Sequence, residues 1–161
     1  MEIKRFFQGH SLSVLSILFL VFLPACWPFT KKQEAVEKQK GLVVINVLSK
    51  KMYDDCHIVG SISVPFEQVE QYVQDTIDKD AEIVFYCSNY MCSASGFSRK
   101  KLMDLGFKNV LVYEGGTAEW AQLGYPVTGP CKLSYLKKKM EIPDGLEPGV
   151  IIAQDLKKKM E

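Results

Sequence analysis

The sequence predicts a single α/β domain built on a parallel sheet with helices on both faces, and three observations predict it. Val43-Val44-Ile45-Asn46-Val47, Glu82-Ile83-Val84-Phe85-Tyr86 and Val110-Leu111-Val112-Tyr113 are short, β-branched and aromatic runs, the composition of strands buried on both sides. Stretches of helical periodicity lie between them, and strands that alternate with helices assemble as parallel sheets. The chain has 161 residues, enough for one hydrophobic centre with appendages at each end.

The elements follow in order. Residues 1–26 form an export signal or anchor, and 27–40 a linker whose part Glu34 to Lys40 is polar and helical in pattern. The domain proper spans 41–128. Its first strand covers Val43 to Val47, and Ser61 to Val64 is a short second strand. Phe66 to Ile77 sets Val69, Tyr72, Val73 and Ile77 on one helical face. After the strand Glu82 to Tyr86, a helix begins near Ser93. Ala94, Phe97, Leu102 and Leu105 recur in it at helical spacing until Gly106 supplies the C-cap. Val110 to Tyr113 is the last core strand, and Trp120 packs the last helix onto it.

Cys87 is where chemistry is expected, because it ends a buried strand and opens a short polar loop leading into a helix. Inward N–H groups of such a loop, with the partial positive charge of the helix N-terminus, favour an anion. A thiol there is expected to have a depressed pKa and to act as a nucleophile. Ser88, Asn89, Tyr90, Met91 and Ser93 line the loop as the substrate-binding segment, with Tyr90 and Met91 as an apolar rim.

Several segments resemble, in order, those of the rhodanese-like domain, the single-cysteine sulfurtransferase fold. Val43-Val44-Ile45-Asn46-Val47 stands where that family has a strand ending in Asp-Val-Arg. His57-Ile58-Val59-Gly60-Ser61-Ile62-Ser63-Val64-Pro65 is similar to its His-Ile-x-Gly-Ala-x-Asn-x-Pro segment, and Phe85-Tyr86-Cys87 to its Cys-bearing strand. Leu105-Gly106-Phe107-Lys108-Asn109-Val110 and Glu114-Gly115-Gly116 with Trp120 resemble its closing motifs. The resemblance spans about residues 41–128. It implies sulfur transfer through a Cys87 persulfide between a small sulfur donor and a thiol acceptor, with no cofactor and no metal. It also implies that His57 belongs to a turn and not to the catalytic site.

The departures from the family pattern bear on chemistry. Asn46 and Leu48 replace the usual Asp and Arg, and Cys56 replaces the Gly before His57. Cys92 stands where active sulfurtransferases commonly carry Arg, so the loop holds no cation. Losing a guanidinium weakens capture of the thiosulfate dianion by about 1.5–3 kcal/mol for each charge-assisted hydrogen bond. The loop length and the missing Arg also argue against the phosphatase and arsenate-reductase relatives of the fold. Two readings of Cys92 stay open: a resolving cysteine that attacks a Cys87 persulfide to leave a Cys87–Cys92 disulfide, and a small apolar filler at the helix start. Function accordingly has two alternatives to sulfur transfer, a thiol–disulfide oxidoreductase using Cys87 and Cys92, and a non-catalytic rhodanese-like binding module.

The two ends of the chain carry the remaining signals. Lys4 and Arg5 precede an apolar stretch from Leu12 to Leu23 that ends in Leu23-Pro24-Ala25-Cys26, similar to a bacterial lipobox with Pro24 as a departure. The expectation is an exported lipoprotein, periplasmic or at the cell surface, lipidated at Cys26 and attached to the membrane through its N-terminus. An uncleaved anchor and an ordinary cleaved signal are the alternatives. Export places the thiols in an oxidising setting, and with Cys26 lipidated, Cys56, Cys87, Cys92 and Cys131 allow three full pairings. At the other end, Leu136-Lys-Lys-Lys-Met-Glu141 recurs at Leu156-Lys-Lys-Lys-Met-Glu161 in a basic extension, 129–161, broken by Pro and Gly. It is expected to be a partly ordered appendage with two short basic helices, the alternative being contact with an anionic membrane or partner. Net charge is +1, so nothing points to nucleic acid.

Overall fold

In the computed structural model, residues 37–139 and 147–161 are described. The expected signal or anchor, Cys26 and most of the linker lie outside the described residues.

Four parallel strands form the central sheet in the order β3-β1-β4-β5: β1 Leu42–Asn46, β3 Ile62–Ser63, β4 Glu82–Tyr86 and β5 Val110–Tyr113. Register sets Ile45 beside Phe85 and Phe85 beside Val112. Adjacent side chains of a strand point to opposite faces, and both faces are apolar here. On one, Val43, Ile45, Ile83, Phe85 and Cys87 meet Val69, Val73 and Ile77 and also Leu102 and Phe107. On the other, Val44, Val84, Tyr86 and Tyr113 meet Trp120, Ile151 and Leu156. Each fully buried Val, Leu or Ile stabilises this layer by roughly 1.5–3 kcal/mol.

The helices are α1 Lys50–Asp55, α2 Val69–Thr76, α3 Ala94–Asp104, α4 Gly116–Gln122 and α5 Ala153–Met160. A 3₁₀ turn, Phe66–Gln68, leads into α2. Val69, Val73 and Ile77 are buried as the periodicity predicts, whereas Tyr72 is 37% and Phe97 56% exposed. Both sit at the edge of their helix's apolar stripe, where the sheet no longer covers them; on α3, Ser95 and Ser98 take the buried positions with Leu102. Gly106 ends α3 at φ +85°, with Phe107 N–H donating to Leu102 O at 3.1 Å, as a glycine C-cap should. A second, two-stranded ribbon pairs β2 His57–Ile58 antiparallel with β6 Val127–Thr128.

Two expectations are corrected. The described end of the linker, 37–40, is not helical: Gln39 lies parallel to Ile77, its N–H on Thr76 O at 2.8 Å and its carbonyl taking Asp78 N–H at 2.9 Å. Pairing beside the first strand satisfies backbone groups that an isolated polar helix of this length would leave weakly held. The tail is also more than an appendage. Val150 bridges Val112 and widens the sheet, with Val112 N–H on Gly149 O and Ile151 N–H on Val112 O, each at 2.9 Å. Among the described residues, only the second basic repeat forms an α-helix; the first begins within a 3₁₀ turn, Ser134–Lys137. Their leading residues, Leu136 and Leu156, are both buried, so the domain itself covers these two side chains.

Candidate functional site

The central strand β4 delivers Cys87 to the carboxyl edge of the sheet, where ligands bind in open α/β folds. Helix α4 then locks its backbone. Thr117 N–H and Oγ1 donate to the Cys87 carbonyl at 3.0 and 3.3 Å, and Ala118 N–H donates to Ser88 O at 3.0 Å. This approach requires Gly116: its φ is +60°, and a Cβ there would stand 2.5 Å from Cys87 O. The Gly115-Gly116 pair thus presses the start of α4 against the cysteine loop.

The loop folds on itself. Asn89 accepts Met91 N–H on its Oδ1 at 3.0 Å and Cys92 N–H on its backbone oxygen at 3.0 Å. These bonds make a tight Asx-type turn that brings Cys92 back over Cys87. The Cys87 thiol donates to the Cys92 carbonyl at 3.1 Å, lies 3.4 Å from Ser95 Oγ, and is 3.8 Å from Asn89 O. Ser93 precedes α3 and gives its carbonyl to Phe97 N–H at 3.0 Å, but its side chain makes no cap bond.

The electrostatics invert one expectation. Cys87 is wholly buried, and its thiol is pushed up, first by its hydrogen bond with Cys92 and then by burial. Cys92 is held down to about 5, first by that same bond and further by the N–H groups of Ala94 and Ser88 and the Ser88 hydroxyl. The loop is where anion-favouring donors were expected, and they divide: Ala94 and Ser88 serve Cys92, while Ser95 alone serves Cys87. Cys87 also faces the carbonyl oxygens of Cys92 and Asn89, which stabilise its protonated form and outweigh the Ser95 bonds. The two titrations are linked, with Cys92 the more acidic thiol of the pair.

Tyr90 is less free than a substrate rim would be. Its hydroxyl donates to Glu119 Oε1 at 2.9 Å, while Tyr113 donates to Oε2 at 2.8 Å. Burial and then the Glu119 carboxylate push both phenols up. Met91 is 82% exposed and forms the open lip of the loop. Asn89 is buried, Ser88 half-buried and Ser93 exposed. The only arginine among the described residues, Arg99, donates to Val110 O at the start of β5, the opposite edge of the sheet.

Four residues near the cysteines carried no separate signal in the sequence. Glu119 and Thr117 lie in the Gly-Gly-x-x-x-Trp segment, whose spacing marks a helix start but not its contacts. Ser95 occupies the first turn of α3. Tyr135 belongs to the tail, and its hydroxyl is buried without a hydrogen bond partner, close to the Thr117 hydroxyl.

Cys56 and Cys131 have a structural role. Cys56 and Cys131 form a disulfide across a sequence separation of 75 residues, resolving a choice that spacing left open. It ties the tail to the end of α1, helped by Cys131 N–H on Asp55 O at 2.7 Å and by the Asp55 carboxylate accepting Lys132 and Leu133 N–H. His57 stacks on Tyr53 with centroids 3.8 Å apart and bonds Tyr53 O through Nδ1 at 2.8 Å, which is a turn role. Trp120 is buried, edge-on to Tyr113 and Tyr125, its indole N–H on Pro126 O.

Comparison with known proteins agrees with this architecture. The Rhodanese-like domain family model matches residues 30–123. The BH2092 protein of Bacillus halodurans is similar in structure, with a TM-score of 0.52 and 28% identity over 56% of this chain and 66% of that one. Among curated proteins, the adenylyltransferase and sulfurtransferase uba4 of Ogataea parapolymorpha is 25% identical over 89 residues, 55% of this chain and 22% of the relative. The dual specificity phosphatase Cdc25 of Arabidopsis thaliana is 29% identical over 112 residues, 60% of this chain and 76% of the relative. The chain therefore spans about a fifth of the sulfurtransferase relatives it matches.

Proposed function

This chain belongs to the rhodanese-like domain family, and from that premise we propose that it is a sulfurtransferase carrying sulfane sulfur as a persulfide on Cys87. The observation that carries the reading is the placement of Cys87 at the carboxyl end of the central strand, with α4 clamping its carbonyl and the Cys92 carbonyl accepting from its thiol. A small sulfur donor loads the pair, and a thiol acceptor removes the sulfur. Because the loop lacks a cation and carries a thiolate, thiosulfate is a poor donor: a dianion is repelled where a guanidinium would have held it. A persulfide with at most one negative charge suits the site better. Donor use by rate, thiosulfate against an organic persulfide, tests this directly; equal rates would refute it.

A thiol–disulfide oxidoreductase is the second reading, favoured by the hydrogen bond from the Cys87 thiol to the Cys92 carbonyl, which brings the two cysteines together. The binding-module reading lacks a comparable observation. On location, we propose export with attachment to the membrane through a lipidated Cys26. The Cys56–Cys131 disulfide supports an oxidising compartment, since such bonds are rare where glutathione keeps thiols reduced.

Cyanolysis of the protein after incubation with an organic persulfide, followed by mass spectrometry of the loop peptide, separates the readings. Sulfur transfer gives a Cys87 persulfide and cyanide-dependent thiocyanate. A Cys87–Cys92 disulfide without thiocyanate supports the oxidoreductase, and two unmodified thiols support the binding module.

A further inference from the structure

We propose that sulfane sulfur enters at Cys92 and is relayed to Cys87, so that the partly buried thiol is the port and the fully buried one the store. The inference rests on the sulfurtransferase reading above and assigns the first chemical step to a residue other than the family's cysteine. Accessibility is the first ground: Cys87 has 0% exposure, and Cys92 is part-exposed beside the open lip formed by Met91. An incoming donor therefore meets Cys92 first. Geometry is the second. The Asx-type turn at Asn89 folds Cys92 over Cys87, with the Cys87 thiol donating to the Cys92 carbonyl at 3.1 Å. Nucleophilicity is the third, because the thiolate rather than the thiol attacks, and Ala94 and Ser88 favour the thiolate at Cys92.

The steps balance without an added oxidant or reductant. The Cys92 thiolate attacks the outer sulfur of a persulfide R–S–SH; that sulfur–sulfur bond breaks, R–S⁻ leaves, and Cys92–S–SH forms. Cys87 gives its proton to the released R–S⁻, which departs as R–SH, and attacks the outer sulfur of Cys92–S–SH; that sulfur–sulfur bond breaks, Cys87–S–SH forms and Cys92 returns to a thiolate. One sulfur atom has moved twice with no change in its oxidation state. Attack by Cys87 on the inner sulfur would instead release sulfide and leave the Cys87–Cys92 disulfide, which a dithiol reductant would have to reopen.

Stopped reaction with glutathione persulfide, acid quench and peptide mass spectrometry tests the relay in the full chain. Wild type should show persulfide on Cys92 before Cys87. Cys92→Ser should load Cys87 about tenfold or more slowly, since the step loses its positioned intramolecular donor. Cys87→Ser should hold its sulfane sulfur on Cys92. Thermal melts of both variants confirm folding, and the order of labelling in wild type stands independently of either substitution. Loading of Cys87 in Cys92→Ser as fast as in wild type, or Cys87 labelled first, overturns the relay and leaves the sulfurtransferase reading standing. Persulfide on neither thiol overturns that reading and the relay together, and rapid formation of the Cys87–Cys92 disulfide with sulfide release overturns the relay in favour of redox chemistry.

Discussion

Gly116→Ala should damage both stability and the cysteine loop, and the structure sets the size of the effect. A Cβ at this position would lie 2.5 Å from Cys87 O, 2.6 Å from Ser88 C and 2.8 Å from Asn89 N. All three are backbone atoms, so no rotamer change relieves the contact. Holding an L-residue at φ +60° costs about 1–2 kcal/mol, and forcing the loop away from α4 adds about 1–3 kcal/mol, typical of overpacking. The total, roughly 2–5 kcal/mol, is a large part of the roughly 5–15 kcal/mol that stabilises an ordinary domain. Urea unfolding measures it, with Gly96→Ala as control: Gly96 sits inside α3 with nothing within 4 Å of its Cβ position, so alanine there should stabilise by about 0.5–1 kcal/mol. Persulfide loading, assayed where both variants remain folded, should fall only in Gly116→Ala, because the Thr117 and Ala118 bonds to the loop would be lost. A Gly116→Ala protein destabilised by less than about 1 kcal/mol, with unchanged loading, would refute the close-approach argument.

Three further expectations can be measured together. Reducing the Cys56–Cys131 disulfide, or replacing both cysteines by alanine, should lower stability by roughly 4 kcal/mol, the loop-closure entropy of a link spanning 75 residues; an unchanged urea midpoint would contradict this. Alkylation of Cys92 by iodoacetamide should run at a level rate through neutral pH and fall as pH drops through about 5, because the lowered pKa keeps the thiolate until then. Cys87→Ala removes the first cause of that lowering, so the midpoint should rise towards the ordinary cysteine value near 8.5, and a midpoint that stays put would dismiss the linkage of the two titrations. Cys26→Ala should block lipidation and leave a longer precursor by intact mass, whereas an uncleaved anchor predicts no change in size or membrane association.

What could be read from the sequence follows from how each feature is encoded. Strands β1, β4 and β5 were legible because burial on both faces demands an unbroken apolar run, and Cys87 because it interrupts one such run at a loop. Helical periodicity located α2 and α3 but could not tell which edge of each stripe the sheet reaches, hence the exposed Tyr72 and Phe97. The ribbon of β2 and β6 has two residues a side, too few for any period to register. In the tail, Ile151, Ala153 and Leu156 pack onto Val44, Val84 and Tyr113, a contact fixed by distant partners that its basic composition conceals. The cysteine loop taught the most: its residues announced an anion site, but whether N–H or C=O groups face Cys87 depends on the turn made by Asn89. Glu119 escaped notice for a similar reason, since only the fold brings Tyr90 and Tyr113 to its two oxygens.

The central claim is that Cys87 stores sulfane sulfur, and the mass of the Cys87 peptide tests it most directly. After incubation with glutathione persulfide and removal of excess donor, that peptide should be heavier by one sulfur atom, and cyanide should remove the increment as thiocyanate. A Cys87 peptide that stays at its thiol mass, or appears only as a disulfide with Cys92, would contradict the account.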